Sequence, residues 1–321
     1  MNAESDAGSP GSRRALVILN PTSGQHDADR SEATILAALE ERGVSAQVRR
    51  TSGAGDAETW AASAESEGFD LVVAAGGDGT AMEVITGLID AGSGRPVLLA
   101  PLGTGNVLSR VVNLPFNLKA ALQAGLDGQA CAFDVGRLEG VGRYFMLSAG
   151  VGIDADVVRD ANREMKDRLG FFAYVWATLK NIVNRRRVPM RVTLDGETQL
   201  IRAHTLIVFN ASQIYLGGVE LGPGVNPHDG ALDIAVMHES SALGTLGSLL
   251  RLFTGRLKRQ DERPEHLRAK TVTLEALGRR RAQVDGEPLE TEQLSVKVLP
   301  GAVKLLVPEG YNPKRDVGAA P

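Results

Sequence analysis

The run LVVAAGGDGT, residues 71–80, joins five apolar residues to a loop that holds three glycines. The apolar part, Leu71–Ala75, has the length and composition of a buried β-strand. The loop Gly76-Gly77-Asp78-Gly79-Thr80 predicts a tight turn, with a helix beginning at about Thr80. Because glycine lets the backbone approach a ligand closely, main-chain N–H groups and the helix N-terminus could bind an anion here.

Two further apolar runs end in loops of similar character. Ala15–Leu19 is followed by Asn20-Pro21-Thr22-Ser23-Gly24, and Val97–Ala100 is followed by Pro101-Leu102-Gly103-Thr104-Gly105-Asn106. Each could be an ordinary turn, but the strand ends of a parallel sheet meet at one edge, where such sheets bind ligands. Three loops at that edge predict a polyphosphate site. Neither of these two loops has the Gly-Lys-Ser/Thr of a P-loop, so main-chain amides and hydroxyls would hold the phosphates.

Up to about residue 130 the chain alternates strand-like and helix-like segments. A further strand is predicted at 44–50, and helices are predicted at 28–42, 56–67, 80–91 and 118–128. Alternation of this kind is typical of parallel strands with right-handed crossovers. The sequence therefore predicts a doubly wound, parallel-sheet α/β domain over residues 13–131.

From about residue 132, strand-like runs follow one another directly. Arg143–Ser148 is predicted as one such strand, and turn dipeptides such as Asp195-Gly196 and Asp285-Gly286 separate others. This pattern predicts an antiparallel β-rich, sandwich-like domain over 132–301, with helical insertions at 169–184 and 242–254. Segment 302–310 is expected to return to the first domain, and 1–12 and 313–321 are expected to be disordered tails.

Composition limits the class of protein. A chain of 321 residues predicts two domains. Its single cysteine excludes an internal disulfide and a thiolate metal cluster, and this is typical of a protein of the reducing cytoplasm. A net charge of −4 makes nucleic acid an unexpected partner. Apolar runs fall short of the roughly 20 residues that span a bilayer. We therefore expect a cytoplasmic protein whose membrane contact is peripheral. Three segments could make this membrane contact: the aromatic run 171–176 and the arginine triplets 185–187 and 279–281. The alternative is that the aromatic run packs in the core and that the triplets are solvated.

Together these motifs resemble the bacterial diacylglycerol kinase and lipid kinase family, whose fold is shared with NAD kinases. The resemblance spans about residues 14–308 and implies that ATP binds at the three loops. The ATP-contacting residues that it implies are Asn20, Pro21, Thr22, Ser23, Gly24, Thr51, Gly76, Gly77, Asp78, Gly79, Thr80, Ala81, Met82 and Thr104. Asp78 could also hold a magnesium ion or orient a phosphate, and it is predicted to be catalytic.

The resemblance also assigns roles in the second domain. It implies that Mg²⁺ is held by Asn226, Asp229 and Ala231, and that Glu287 of Asp285-Gly286-Glu287 is the general base. The residues Pro227 and His228 before Asp229 depart from the family pattern, where less constrained residues are typical. Without the resemblance, the sequence favours a simpler interpretation of Glu287, as the solvated tip of a hairpin.

The predicted function is an ATP- and Mg²⁺-dependent lipid kinase that acts on a lipid substrate at the membrane surface. Diacylglycerol is the default substrate, and a homodimer is possible. One alternative is an NAD kinase, which shares the Gly-Gly-Asp-Gly-Thr run; the loops at Asn20–Gly24 and Gly103–Asn106 favour the lipid kinases. A second alternative is a non-catalytic lipid- or nucleotide-binding regulator. The joint presence of Asp78, Asp229 and Glu287 favours an enzyme over it.

Overall fold

The structure is a computed structural model, and it describes residues 13–24, 27–151, 188–203, 205–211, 215–216, 219–220, 225–237, 265–276, 282–289, 291 and 293–312. The predicted tails, both helical insertions, the aromatic run and both arginine triplets lie outside the described residues. Among the helices that are described, none is both long and apolar enough to cross a bilayer.

The chain divides into two compact units. The described residues up to Ala132 form the first unit together with Val303–Tyr311, and Phe133–Ala302 form the second. The chain passes between the units in two strands, Gln129–Leu138 and Gln293–Val307. The last part of the long strand thus belongs to the first unit, where Leu305 pairs in parallel with Val97.

The first unit is the predicted parallel-sheet α/β fold. Its strands are β1 (Arg14–Leu19), β2 (Ser45–Arg50), β3 (Leu71–Gly76) and β4 (Val97–Pro101), and its helices are α1 (Ala28–Glu40), α2 (Asp56–Ser63), α3 (Asp78–Asp90), α4 (Val107–Val111) and α5 (Leu118–Leu126). The strand order is β2-β1-β3-β4, with every pair parallel. This confirms the predicted fold class of the N-terminal half. The five-residue helix α4 is too short to give a periodic signal and was not predicted.

Burial explains why these segments become strands and helices. All six residues of β3 are buried, as expected for a central parallel strand that is covered on both faces. Helix α1 begins where the Asp27 carboxylate accepts the N–H of Arg30, and it buries Ile35 and Leu39 against the sheet. This packing leaves the carboxyl ends of β1, β3 and β4, with their loops, at one edge of the sheet.

The second unit is antiparallel and β-rich, which confirms the other half of the predicted fold class. Its strands, in chain order, are β5 (Gln129–Leu138), β6 (Arg143–Phe145), β7 (Ser148–Val151), β8 (Val188–Leu194), β9 (Glu197–Ala203), β10 (Thr205–Phe209), β11 (Tyr215–Leu216), β12 (Val219–Glu220), β13 (Leu232–Met237), β14 (Glu265–Ala269), β15 (Thr271–Ala276), β16 (Ala282–Val284), β17 (Glu287–Leu289) and β18 (Gln293–Val307).

Two sheets of the second unit share one core. One has the order β14-β13-β10-β7-β16-β17, and in the other β18, β15, β8 and β9 follow one another antiparallel. Alternate residues point inward from both sheets, for example Val208 and Ile234 from the first and Val192 and Leu274 from the second. They belong to one buried cluster, which is the arrangement of a β-sandwich.

The predicted single strand at Arg143–Ser148 is wrong, because the chain breaks there into β6 and β7. The main-chain N–H groups of Met146, Leu147 and Ser148 all donate to the carboxylate of Asp285. Two of these residues, Met146 and Leu147, lie between the strands. The break thus depends on a residue that lies more than 130 positions away in the sequence.

The turn between β8 and β9 gives a test of pH dependence. We expect Asp195→Asn to lower the free energy of unfolding near neutral pH, and we expect its difference from wild type to shrink as the pH falls. The pKa of Asp195 is lowered because its carboxylate accepts the N–H of Thr271 and also the N–H of Lys270 and the hydroxyl of Thr271. A carboxyl group whose folded pKa is lowered stabilises the fold above its unfolded pKa, about 3.9.

That stabilisation is lost as the pH falls through the lower, folded pKa. Urea unfolding of both proteins at about pH 7 and about pH 3 measures the difference. An equal difference at both pH values would contradict this role of Asp195.

Candidate functional site

The β3–α3 loop is the centre of the candidate site. Gly76 ends β3, Gly77 is the N-cap of α3, and Asp78 is the first residue of that helix. No side chain caps the N-terminus of α3 in the described part of the chain. Within the described residues, the first N–H groups of this 13-residue helix thus have no capping side chain, which suits the binding of an anion.

The loop at Asn20–Gly24 is held directly against the β3–α3 loop. The amide Nδ2 of Asn20 donates to the hydroxyl of Thr80 at 3.1 Å, and the N–H of Gly77 donates to Ser23 Oγ at 3.0 Å. Asn20 Oδ1 accepts both the N–H and the hydroxyl of Thr22, which shapes the turn that contains Pro21. The loop ends at Gly24, which has a φ of 65°. The first two predicted loops are thus joined.

The third loop packs on the second at a glycine–glycine contact. A Cβ on Gly103 would lie 2.6 Å from the Cα of Gly77, so only glycine fits at this position. The N–H of Leu102 donates to the carbonyl of Gly76 at 2.9 Å, which continues the contact. Asn106 accepts the N–H of Gly103 and donates to its carbonyl, and this closes the loop before α4. The structure therefore brings all three sequence-predicted loops together.

Asp78 holds the third loop in place. Its Oδ1 accepts the N–H of Leu108 in α4 at 2.9 Å, and its Oδ2 lies beside Gly105. The carboxylate also lies in the first turn of α3, where a negative charge stabilises the helix dipole. In the described contacts Asp78 organises the loops, while its predicted catalytic role stays a prediction.

The other predicted nucleotide residues lie around these loops. Thr51 follows β2 and donates its N–H to the carbonyl of Leu19. Ala81 is buried in the first turn of α3, and Met82 follows it, partly buried. Thr104 is exposed at the tip of the third loop, and a Cβ on Gly79 would meet no other atom within 4 Å. Open space therefore surrounds the Cβ position of Gly79 in the first turn of α3.

In the second unit, a buried aspartate that sequence reasoning missed holds the loop of the predicted metal site. Asp134 is 2 % exposed, and its carboxylate accepts the N–H groups of Gly230 and Gly301 at 2.7 and 2.8 Å. Its own main chain accepts from Asn210 Nδ2 and donates to the carbonyl of Pro227. The signal that could have found it is a single aspartate in the apolar run of β5.

The unusual Pro227-His228 pair has a structural explanation. Besides the bond from Asp134 to the Pro227 carbonyl, the ring of His228 lies 4.3 Å, between centroids, from the ring of Phe133. The N–H of His228 donates to Oδ1 of Asn226. The pair therefore docks the loop on β5.

Among the described residues, Asp229 has two partners. Its Oδ1 accepts the N–H of Ala231 at 3.2 Å, and its Oδ2 forms an ion pair with Arg268. Arg268 also contacts the buried Asp233, with Nε at 3.2 Å from Oδ1. A carboxylate beside main-chain carbonyls is a donor set that fits a hard cation. A cation bound to Oδ2 of Asp229 would have to displace Arg268.

Metal binding here would depend on main-chain oxygens as well as on Asp229. The described residues contain no group of three or more histidine, cysteine, aspartate or glutamate side chains that is arranged to hold a metal ion. The ligand set Asn226, Asp229 and Ala231 remains a prediction.

Glu287 lies at the start of β17, directly after the turn at Asp285-Gly286. Its Oε2 forms an ion pair with Nη2 of Arg143 at 2.6 Å, and its side chain is 64 % exposed. One oxygen of the Glu287 carboxylate is therefore held by Arg143, although the side chain is exposed to solvent. At a freely solvated hairpin tip, neither oxygen would be held. Arg143 and the carboxylate of Asp285 were not recognised from the sequence as its supports.

Comparison with known families now defines the class of protein. The family model described as "Diacylglycerol kinase catalytic domain" matches residues 14–138. The model described as "YegS C-terminal NAD kinase beta sandwich-like domain" matches residues 147–307. The two matches cover most of both units, and they define a phosphotransferase of the lipid kinase class.

Individual relatives identify the family. The chain is 32% identical to a diacylglycerol kinase of Mycobacterium tuberculosis (strain CDC 1551 / Oshkosh), over 92% of this chain and 95% of that protein. It is 30% identical to a diacylglycerol kinase of Bacillus subtilis (strain 168), over 86% and 90%. A diacylglycerol kinase crystal structure from Bacillus anthracis str. Sterne superimposes with a TM-score of 0.76 at 25% identity, covering 95% and 99%. The chain belongs to the diacylglycerol kinase family, which confirms the resemblance.

Proposed function

We propose that this enzyme transfers the γ-phosphoryl group of ATP to a hydroxyl of a membrane lipid, with diacylglycerol as the substrate. The observation that carries the proposal is the joining of three loops at the uncapped N-terminus of α3. Family membership supports the lipid kinase class, and the named relatives support the choice of diacylglycerol.

The loops of the first unit would hold the triphosphate. The N–H groups at the start of α3 would donate to phosphate oxygens, in the open space in front of Gly79. Thr104 is exposed, and its hydroxyl could donate as well. Asn20 and Asp78 would act indirectly, because they position the loops that carry these donors.

Glu287 would act as the general base. Its carboxylate accepts the proton of the lipid hydroxyl as that oxygen bonds to the γ-phosphorus. The bond from the γ-phosphorus to the bridging oxygen breaks in the same displacement, and ADP leaves with the bond electrons. Oε1 of Glu287 can accept the proton while Arg143 holds Oε2.

Magnesium is part of this proposal, and Asn226, Asp229 and Ala231 are the residues that would hold it. When bound, the cation would offset the negative charge of the phosphate groups. Arg268 would compete with the cation for Asp229, because Arg268 already pairs with Oδ2 of this residue.

This competition predicts that magnesium raises the thermal stability of Arg268→Ala more than that of wild type. With Mg²⁺ at tenfold its Kd, binding to the folded state alone would stabilise the variant by about 1.4 kcal/mol. Melting curves with Mg²⁺ and with EDTA measure the difference for the variant and for wild type. Arg191→Ala is the matched control, because Arg191 pairs with Glu275 on β15 of the same unit. If Mg²⁺ raises Tm equally in all three proteins, Arg268 does not compete with the cation.

We also propose that the protein works in the cytoplasm, at the surface of the membrane that holds its substrate. Diacylglycerol resides in a bilayer, so peripheral contact is enough to reach it. Sedimentation with anionic vesicles at low and high salt measures such contact. The possible homodimer and the absence of a nucleic acid partner stay predictions.

The proposed function is tested with a panel of acceptors. The purified enzyme is incubated with ATP and Mg²⁺ and, in separate reactions, with diacylglycerol in mixed micelles, a sphingoid base, phosphatidylglycerol or NAD. The proposal expects the highest kcat/KM with diacylglycerol. Preferred phosphorylation of NAD would replace it with the NAD kinase alternative, and preference for another lipid would keep the reaction and change the substrate.

A further inference from the structure

The turn that precedes Glu287 is a tight two-residue hairpin turn. Val284 pairs with Glu287, and the residues between them, Asp285 and Gly286, have φ values of 46° and 86°. Positive φ at both central positions is the geometry of the hairpin turn that favours Asp-Gly. The position of Glu287 is therefore determined by how this turn is held.

Asp285 fixes the turn to the corner between β6 and β7. Its carboxylate accepts the N–H groups of three successive residues, Met146, Leu147 and Ser148, at 2.9 to 3.1 Å. In return, the N–H of Asp285 donates to the carbonyl of Ser148 at 2.8 Å. Four hydrogen bonds thus join one turn residue to one corner, and the three to the carboxylate are charge-assisted and strong.

Arg143 reaches Glu287 from the strand that leads into this corner. It begins β6, and its Nη2 lies 2.6 Å from Oε2 of Glu287. The two side chains are 42 % and 64 % exposed, and an ion pair this exposed contributes little to the stability of a fold. Stability alone therefore does not explain the pair.

The ion pair engages one carboxylate oxygen of Glu287. In the structure as described, Oε1 makes no hydrogen bond with the chain, so it can accept a proton while Oε2 is held. Anchoring one oxygen of a general base limits the rotation of the carboxylate, and this matters because proton transfer depends strongly on orientation.

We propose that Arg143 and Asp285 are positioning residues for the reaction, and that the segment Arg143–Ser148 is the platform that orients Glu287. Asp285 sets the main chain of the turn, and Arg143 sets the carboxylate. The inference rests on the proposed role of Glu287 as base. It adds residues that act on Glu287 without touching the reacting atoms.

A double-mutant cycle tests the proposal on the full-length enzyme. Arg143→Ala is compared with Arg143→Lys, Glu287→Gln and the double variant, with Arg191→Ala as the control for loss of an exposed ion pair. If Arg143 acts only through Glu287, Arg143→Ala should lower kcat by about tenfold with KM for ATP unchanged, and it should have no further effect in the Glu287→Gln background. Arg143→Lys should restore part of kcat, and Tm should stay near wild type.

The outcomes distinguish the role of Arg143 from that of Glu287. A lower kcat in Glu287→Gln together with a normal kcat in Arg143→Ala would overturn the positioning role and leave the base in place. A full, additive loss in the double variant would show that Arg143 acts independently, for example on a phosphate. A normal kcat in Glu287→Gln would overturn both assignments.

Asp285→Asn adds a second variant for the turn. Asparagine keeps the turn conformation but removes the charge, so the hairpin should form while its bonds to the corner weaken. We expect both kcat and Tm to fall, with ATP affinity retained. A normal kcat together with a lowered Tm would limit Asp285 to a structural role and overturn its part in the proposal.

Discussion

Glu287→Gln is expected to lower kcat by about 10²–10⁴-fold while the affinity for ATP stays near that of wild type. Glutamine has nearly the same size and can still accept a hydrogen bond from Arg143, but its amide oxygen cannot take up the proton of a lipid hydroxyl. Because a general base acts in the transition state, the loss should appear in kcat rather than in nucleotide binding. Steady-state kinetics and ATP titration of the variant measure both quantities.

Glu275→Gln is the control for this substitution. Glu275 also pairs with an arginine, Arg191, on a strand of the same unit, and its side chain is 36 % exposed. It should keep near-normal kcat. If Glu287→Gln also keeps near-normal kcat, the hydroxyl proton goes to another group, and the assignment of the base is wrong.

Gly103→Ala is expected to weaken ATP binding strongly. Its Cβ would lie 2.6 Å from Gly77 Cα and 2.9 Å from Asn106 Oδ1, and a clash with main chain forces the second and third loops apart. Overpacking of this kind costs about 1–3 kcal/mol, which corresponds to roughly 5- to 150-fold in Kd if the cost falls on binding. ATP titration by calorimetry, well below the Tm of the variant, measures the loss.

Gly94→Ala is the matched control in the same unit. A Cβ there would meet only Lys304 Nζ, at 3.9 Å, so ATP affinity should not change. Equal affinity of Gly103→Ala and wild type would show that the contact between the loops is not needed for nucleotide binding.

The first unit was largely predictable from the sequence, because its signals are local. Buried parallel strands such as β3 are continuous apolar runs, and glycine-rich loops follow them directly. The convergence of strand ends in a parallel sheet then places Asn20, Gly77 and Gly103 close together without further information. What the sequence did not reveal is the detail of their contact, such as the Asn20–Thr80 hydrogen bond, since that depends on side-chain geometry.

In the second unit, long-range contacts limit what the sequence can predict. Glu287 was found only through the family resemblance, because Asp-Gly-Glu by itself is an ordinary hairpin pattern. Of the two residues that hold it, Asp285 lies two positions away in the sequence, but Arg143 lies 144 positions away. The pairing of β16 with β7 brings these three residues together. The break between β6 and β7 was missed for the same reason. Asp134 shows that a buried polar residue with several partners has a weak sequence signal.

The most direct test of the central claim follows the phosphorus atom itself. The enzyme is incubated with Mg²⁺ and diacylglycerol vesicles in two reactions, one with ATP labelled at the γ-phosphorus and one with ATP labelled at the α-phosphorus. The account predicts that the γ-label enters the lipid as a phosphomonoester, in step with ADP formation, and that the α-label stays in the nucleotide. Label that appears only as free phosphate, or no label in the lipid while NAD is phosphorylated in a parallel reaction, would contradict it.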